Sequence, residues 1–221
     1  RQILIQEAIG AKRPIYAHIP LILASDRSKL SKRHGAVSVS EYKAVGYVPE
    51  ALVNFLALLG WNPGTDQEIF SIEELIALFD IEKVQKGAAV FNEEKLKWFN
   101  REYLKQLPHE AIARLVLERL PEDIRAKALA ARDIVSRVLP LIVDRIHVLS
   151  EVTILAEAGE FSFYFDAPHL EKEKIPWKKS TAEKARAHLN HISEIVNSVS
   201  CENPDTIKEA LSPYADKEGR G

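Results

Sequence analysis

Apolar side chains recur along most of this chain at three- and four-residue intervals, the spacing of one helix face, and alternate only in a short stretch near the start. Residues 1 to 9 carry Ile3, Ile5, Ala8 and Ile9 ahead of Gly10, which predicts a helix ended by a residue tolerant of positive φ. Between Pro14 and Pro20, Ile15, Ala17 and Ile19 alternate with Tyr16 and His18, which predicts an extended, strand-edge segment. An apolar run from Ile19 to Ala24, broken by Pro20, then leads through a turn at Ser25-Asp26 into the basic stretch Lys29-Leu30-Ser31-Lys32-Arg33-His34-Gly35.

Helical patterning dominates from residue 38 onward. Ser38 and Glu41 have capping-box spacing and Gly46 supplies a stop, predicting a short helix over 38–45. Pro49 suits a first turn, with Leu52, Phe55, Leu56 and Leu59 on one face before Gly60. The four should be core, each worth roughly 1.5–3 kcal/mol before chain entropy. Ser71 and Glu74 repeat the capping box ahead of Leu75, Ile76, Leu78 and Phe79. Asn92 is placed to cap a helix turning Leu96, Phe99 and Tyr103 inward and leaving Lys95, Lys97, Trp98 and Arg101 nearer the surface.

Pro108 and Pro121 bracket a helix with Ile112, Leu115, Val116 and Leu120 inward, and the change of texture here marks a domain boundary. Nearly continuous helix is expected over 122–158, with Pro140 at the start of a new helix and Gly159 closing the run. Phe161, Phe163 and Phe165 suggest an extended or irregular aromatic plug, Ser180 with Glu183 opens a helix through Val199, and Asn203-Pro204 opens another. Asp216 to Gly221 reads as a solvated tail. The fold class is mainly α and multi-helical.

Composition narrows the function classes. With 221 residues, 46% of them hydrophobic and 28% charged, the chain can bury one large or two smaller cores. No run approaches the ~18 apolar residues of a membrane span, and no leader pattern is present, so a soluble, cytoplasmic, membrane-free protein is expected. A single cysteine, Cys201, excludes an internal disulfide framework. The net charge of −2 makes nucleic-acid contact a matter of local patches. The absence of methionine and a start inside a helical pattern suggest a piece of a longer protein.

The basic stretch is the leading candidate site. A tight loop brings the Lys29 and Lys32 ammonium groups, the Ser31 hydroxyl and the backbone N–H groups near Gly35 towards one polyanion. Most short basic clusters are only solvated loops. Here, however, Lys29 to Gly35 resembles the Lys-Met-Ser-Lys-Ser signature of class I aminoacyl-tRNA synthetases, in the form typical of bacterial-type glutamyl-tRNA synthetases. Arg1 to Gly10, Tyr16 to Leu23, Gly46 to Trp61 and Ala89 to Tyr103 resemble the same family in the same order, so the likeness is strong over residues 1–108 and thins beyond.

That resemblance implies that residues 1–37 are the end of a Rossmann-like catalytic domain with its ATP loop, 38–108 a stem-contact domain, and 109–221 a truncated helical anticodon-binding domain. The parent reaction joins L-glutamate to tRNA-Glu using ATP, with Mg2+ accompanying the nucleotide. It implies that Lys29, Leu30, Ser31 and Lys32 hold ATP, with Lys29 and Lys32 catalytic. Lys32 would neutralise charge on the phosphates as the glutamate carboxylate attacks the α-phosphorus. Leu30 replaces the signature's methionine, a volume-conserving change, and Arg33 its final serine. The family's His-Ile-Gly-His motif and any Gly-rich phosphate loop are missing from this sequence, so the chain alone is expected to be inactive. A monomer is expected.

Trp98, Asn100, Arg101 and Tyr103 fall where the family's stem-contact region meets tRNA, although aromatics at helical spacing are more often core. Arg33 and His34 are placed to reach the acceptor strand. Arg145, in Asp144 to Leu149, is a candidate anticodon reader, against a solvated helix-end arginine. Lys172, Lys174, Lys178 and Lys179 around Trp177 form a basic-aromatic patch that equally reads as a soluble loop. His188 and His191 have metal-compatible spacing without further ligands in register, and Cys201 reads as a buried thiol. No nucleophile elbow occurs. The alternative to a ligase is a non-catalytic helical RNA-binding or protein-adaptor module.

Overall fold

A computed structural model describes residues 1–31, 33, 38–167, 171, 175, 180–200 and 204–218. The chain divides into two compact units, Arg1–Asp166 and Ala167–Gly221. The fold is mainly helical, with one two-stranded sheet among the described residues.

In the first unit, α1 (Gln2–Ala8) ends at Gly10, whose φ is +65°. The segment 11–21 that alternation predicted as a strand edge is unpaired: Ile15 is fully exposed and Ile19 76% exposed, so the two prolines that exclude helix also leave no ladder to join. The strand begins later, as β1 (Ile22–Leu23), which pairs in parallel with β2 (Ala89–Val90).

Four helices follow: α2 (Val39–Val45), α3 (Pro49–Leu58), α4 (Ile72–Leu78) and α5 (Glu93–Gln106). Both expected capping boxes form, Ser38 with Glu41 and Ser71 with Glu74, and the Asn92 side chain accepts from the Lys95 N–H. Pro49 occupies the first turn of α3, but the buried face differs from the expected one. Ala51, Leu52, Asn54 and Phe55 are buried while Leu56 is 42% exposed, because the helix is clasped from two sides and Asn54 turns inward. Tyr42, Tyr47, Leu52, Phe55, Phe91, Leu96 and Phe99 form one core, and Trp61, Phe70 and Leu75 a smaller one beside it.

Beyond Pro108 come α6 (His109–Arg119), α7 (Glu122–Ala130), α8 (Arg132–Val143) and α9 (Ser150–Glu157). The expected continuous helix over 122–158 is interrupted at Ala131 and across 144–149. The second break feeds apolar side chains both ways, Val148 into the first core and Ile146 and Leu149 into that of α6–α9. Pro140 lies inside α8 rather than opening a helix. Its missing N–H leaves the Ser136 carbonyl without an i+4 donor, and on this exposed face the His109 imidazole lies 3.4 Å from that oxygen. Gly159, at φ +82°, closes the run. The aromatic stretch is a 3-10 turn (Ser162–Tyr164) rather than extended, with Phe161 buried and Phe163 exposed.

The second unit contains α10 (Ala182–Ser198) and α11 (Pro204–Glu218), which pack against each other. Thr181, not Ser180, caps α10, since its own extended backbone aims its hydroxyl at the Lys184 N–H. Helix α11 continues to Glu218 through the part expected to be tail. Cys201, Trp177, Lys172, Lys174, Lys178 and Lys179 lie outside the described residues.

Candidate functional site

The basic loop is built as a return alongside β1. After Leu23 the chain turns at Ser25-Asp26: the Ala24 N–H donates to Ser28 O at 2.8 Å, and the Ser28 N–H donates to Asp26 Oδ1 at 2.9 Å. Arg27 takes a left-handed φ of +63° at the tip. Lys29 then pairs antiparallel with Leu23, and the Leu30 N–H donates to Ile22 O at 3.2 Å. Neighbouring side chains on extended backbone point to opposite sides, so Leu30 packs on the core of Tyr42, Phe55 and Phe91 while Lys29 stands in solvent. The Lys29 ammonium has no hydrogen bond or ion pair with any described residue. Arg33 is likewise exposed and unpaired, and Ser31 is half-buried. Lys32, His34 and Gly35 lie outside the described residues.

A cleft of about 370 Å3 opens beside the loop, lined by Ser25 and Leu30 on one side and by Tyr42, Tyr47, Asn92 and Glu93 on the other. Burial, together with the Glu93 charge, raises the pKa values of Tyr42 and Tyr47, so both phenols stay neutral at the cleft wall at physiological pH. Arg27, which no pattern in the sequence singles out, is exposed, and its guanidinium, without a partner among the described residues, adds a third cation to the loop. The local signal was for the Asp26-Arg27-Ser28 turn alone, which an aspartate two residues before a serine N–H favours.

The candidates on α5 separate sharply. Trp98 is 39% exposed and stands edge-on to Phe99, leaving part of its indole accessible. Asn100 is fully buried: its Oδ1 accepts from the Val48 N–H at 2.8 Å and its Nδ2 donates to His147 O at 2.5 Å. With its amide committed on both sides and its side chain closed to solvent, Asn100 joins α3 to the 144–149 break. Arg101 is half-exposed, with one guanidinium nitrogen donating to Asp144 O at 2.7 Å. The Tyr103 hydroxyl sits 2.7 Å from Asn54 Oδ1 and 2.5 Å from Phe70 O, a core position.

Arg145 forms an ion pair with Glu160 at 2.8 Å, both side chains being a little under half exposed. In the second unit His188 Nδ1 lies 2.6 Å from the Tyr214 hydroxyl and the His191 ring packs 4.4 Å from the Tyr214 ring, so both histidines serve the α10–α11 contact. Among the described residues no cluster of three or more His, Cys, Asp or Glu is arranged to hold a metal, and no helix is long and apolar enough to cross a membrane.

Comparison with known proteins joins these observations. Residues 1–98 match the family of class I tRNA synthetase catalytic domains (E and Q), and residues 93–221 match the anticodon binding domain family. A glutamate–tRNA ligase of Moorella thermoacetica is 39% identical over the whole of this chain and 44% of its own length. That of Nitrosospira multiformis is 45% identical over 74% of this chain and 34% of its own length. A crystal structure of a glutamate tRNA ligase from Elizabethkingia meningosepticum, in complex with its amino acid, superposes with a TM-score of 0.64 at 28% identity, covering 99% of this chain and 45% of that one. This chain therefore spans under half the length of the relatives it matches, and it belongs to the glutamate–tRNA ligase family of class I aminoacyl-tRNA synthetases.

Proposed function

We propose that the chain supplies the ATP-stabilising loop and the tRNA-gripping helices of a cytoplasmic, monomeric ligase that activates L-glutamate with ATP and transfers it to tRNA-Glu. The observation that carries this reading is the Lys29 ammonium, without a partner among the described residues, on a loop braced by β1 within the stretch that matches a class I catalytic domain. Residues 1–37 serve as the catalytic remnant, 38–108 as the stem-contact region and 109–221 as the anticodon-binding region.

In the first step a glutamate carboxylate oxygen bonds to the α-phosphorus and the bond to the bridging oxygen breaks, releasing pyrophosphate. Lys29 and Lys32 hold the β- and γ-phosphates and offset the charge that accumulates on the leaving group. Mg2+ accompanying the nucleotide would add to that neutralisation of phosphate charge. In the second step a terminal hydroxyl of the tRNA attacks the glutamyl carbonyl and AMP departs. Arg33, Trp98 and Arg101 contact the tRNA near the loop and stem, and Arg145 the anticodon end. The 221 residues contribute tRNA binding, and charging is assigned to the whole ligase.

The experiment is a titration of the chain with tRNA-Glu across salt concentrations. Log affinity should fall linearly with log salt as phosphate counterions are released, and tRNA-Glu should outcompete unrelated tRNA. A flat salt dependence would instead favour a protein-adaptor role.

A further inference from the structure

Helices α6, α7 and α8 enclose a groove of about 530 Å3 that the reading above does not use. Its floor is aliphatic, made by Leu117 from α6, Leu129 from α7 and Val135 from α8. Leu129 is 48% exposed, a branched side chain left facing water between two helices. Around this floor stand Arg114, Arg125 and Arg132, one from each helix. None of the three guanidiniums has an ion pair or hydrogen bond with any described residue, although Arg137, on the same helix as Arg132, is paired with Asp133. Two acids, Glu110 and Glu118, complete the rim on α6.

We propose that this groove docks an amphipathic helix of a partner protein, with aliphatic anchors on the floor and acidic side chains against the three guanidiniums. Charge complementarity selects the sign: three unpaired arginines face two glutamates, and guanidiniums favour carboxylate partners in forked geometry. The floor selects a peptide over a nucleic acid. Single-stranded nucleic acids are gripped by aromatic platforms in uniformly basic grooves, whereas the sole aromatic lining residue is His109, which is engaged with Ser136, and Glu110 and Glu118 would repel a phosphate chain. Aliphatic pockets between helices instead accept side chains spaced three and four residues apart on a partner helix. The eleven residues of α6 span about 16 Å, which sets an occupant of roughly three turns.

The test uses the 221-residue chain and a fluorescein-labelled helical peptide of about three turns, with leucines at positions i, i+4 and i+7 flanked by glutamates. Fluorescence anisotropy should show saturable binding. Reversing Arg114 and Arg125 to Glu should weaken it by about tenfold or more, and a peptide with lysines in place of the glutamates should recover affinity for that variant. Leu129→Asp should also weaken binding. Should the reversal unfold the chain, as circular dichroism would show, the Arg114→Gln, Arg125→Gln, Arg132→Gln variant removes the charge at nearly the same length and should lose affinity likewise. Three results would each overturn the proposal: no binding by the unaltered chain, equal binding of the lysine peptide to it, or displacement of the peptide by a single-stranded oligoribonucleotide at lower concentration than by unlabelled peptide.

Discussion

Leu149 occupies the space that a side chain on Gly46 would need. Its N–H donates to Gly46 O at 3.3 Å, and a Cβ built on Gly46 would fall 2.5 Å from Leu149 Cβ and 2.9 Å from its backbone nitrogen. Gly46 also has a φ of +99°, so glycine is required there both by the turn and by the approach of the 144–149 break. Gly46→Ala should therefore destabilise the first unit by at least about 2 kcal/mol, read as a shift in urea midpoint. Gly64→Ala is the control: φ is +92° but the space is open, so only the backbone strain is felt and the loss should be smaller.

Asn100 tests the same junction by hydrogen bonding. Asn100→Ala leaves the Val48 N–H and the His147 carbonyl without their partner, and should cost about 2–5 kcal/mol in denaturant unfolding. A loss well under 1 kcal/mol would show that water replaces both contacts.

Alkaline stability should depend on Tyr47. Its pKa is raised by burial and by Glu93, so the folded state holds the phenol neutral while the unfolded chain ionises it near pH 10. A raised folded pKa contributes stability that is complete below the unfolded value and lost as pH climbs from about 10 towards the folded value. The urea midpoint should fall between pH 9 and 11, and Tyr47→Phe should flatten that fall.

These cases show where the sequence was legible. Capping boxes at Ser38 and Ser71, the cap at Asn92 and the stops at Gly46 and Gly159 were all readable, because each is a short-range exchange between a side chain and nearby backbone. Residues whose role is set by distant partners were not. Asn100 carries a surface-compatible amide, and only the arrival of Val48 and His147 from remote parts of the chain buries it. Leu56, expected in the core, gives way to Asn54 for the same reason, since Asn54 Oδ1 accepts from the Phe70 N–H and faces Tyr103. Pro140 misled because local rules place proline at a helix start, while an exposed carbonyl at Ser136 tolerates it inside one. At the loop, the alternation of Leu30 inward and Lys29 outward follows from strand geometry once β1 is located.

Arg145 shares one guanidinium nitrogen with Glu160, so the proposed RNA contact competes with that ion pair. The pair is partly exposed, so Glu160→Gln should cost under about 1 kcal/mol of stability. Releasing the guanidinium should raise tRNA-Glu affinity by about threefold, and Arg145→Ala should lower it. Filter binding measures both, and indifference of the affinity to either change would remove Arg145 from the interface.

The most direct measurement is ATP–pyrophosphate exchange by a complete ligase carrying this chain with Lys32→Ala. Exchange should fall by about a hundredfold or more, with tRNA-Glu affinity within about threefold of the unaltered enzyme and Lys29→Ala acting in the same direction. Exchange at the unaltered rate in both variants would contradict the claim that these two ammonium groups stabilise the departing pyrophosphate.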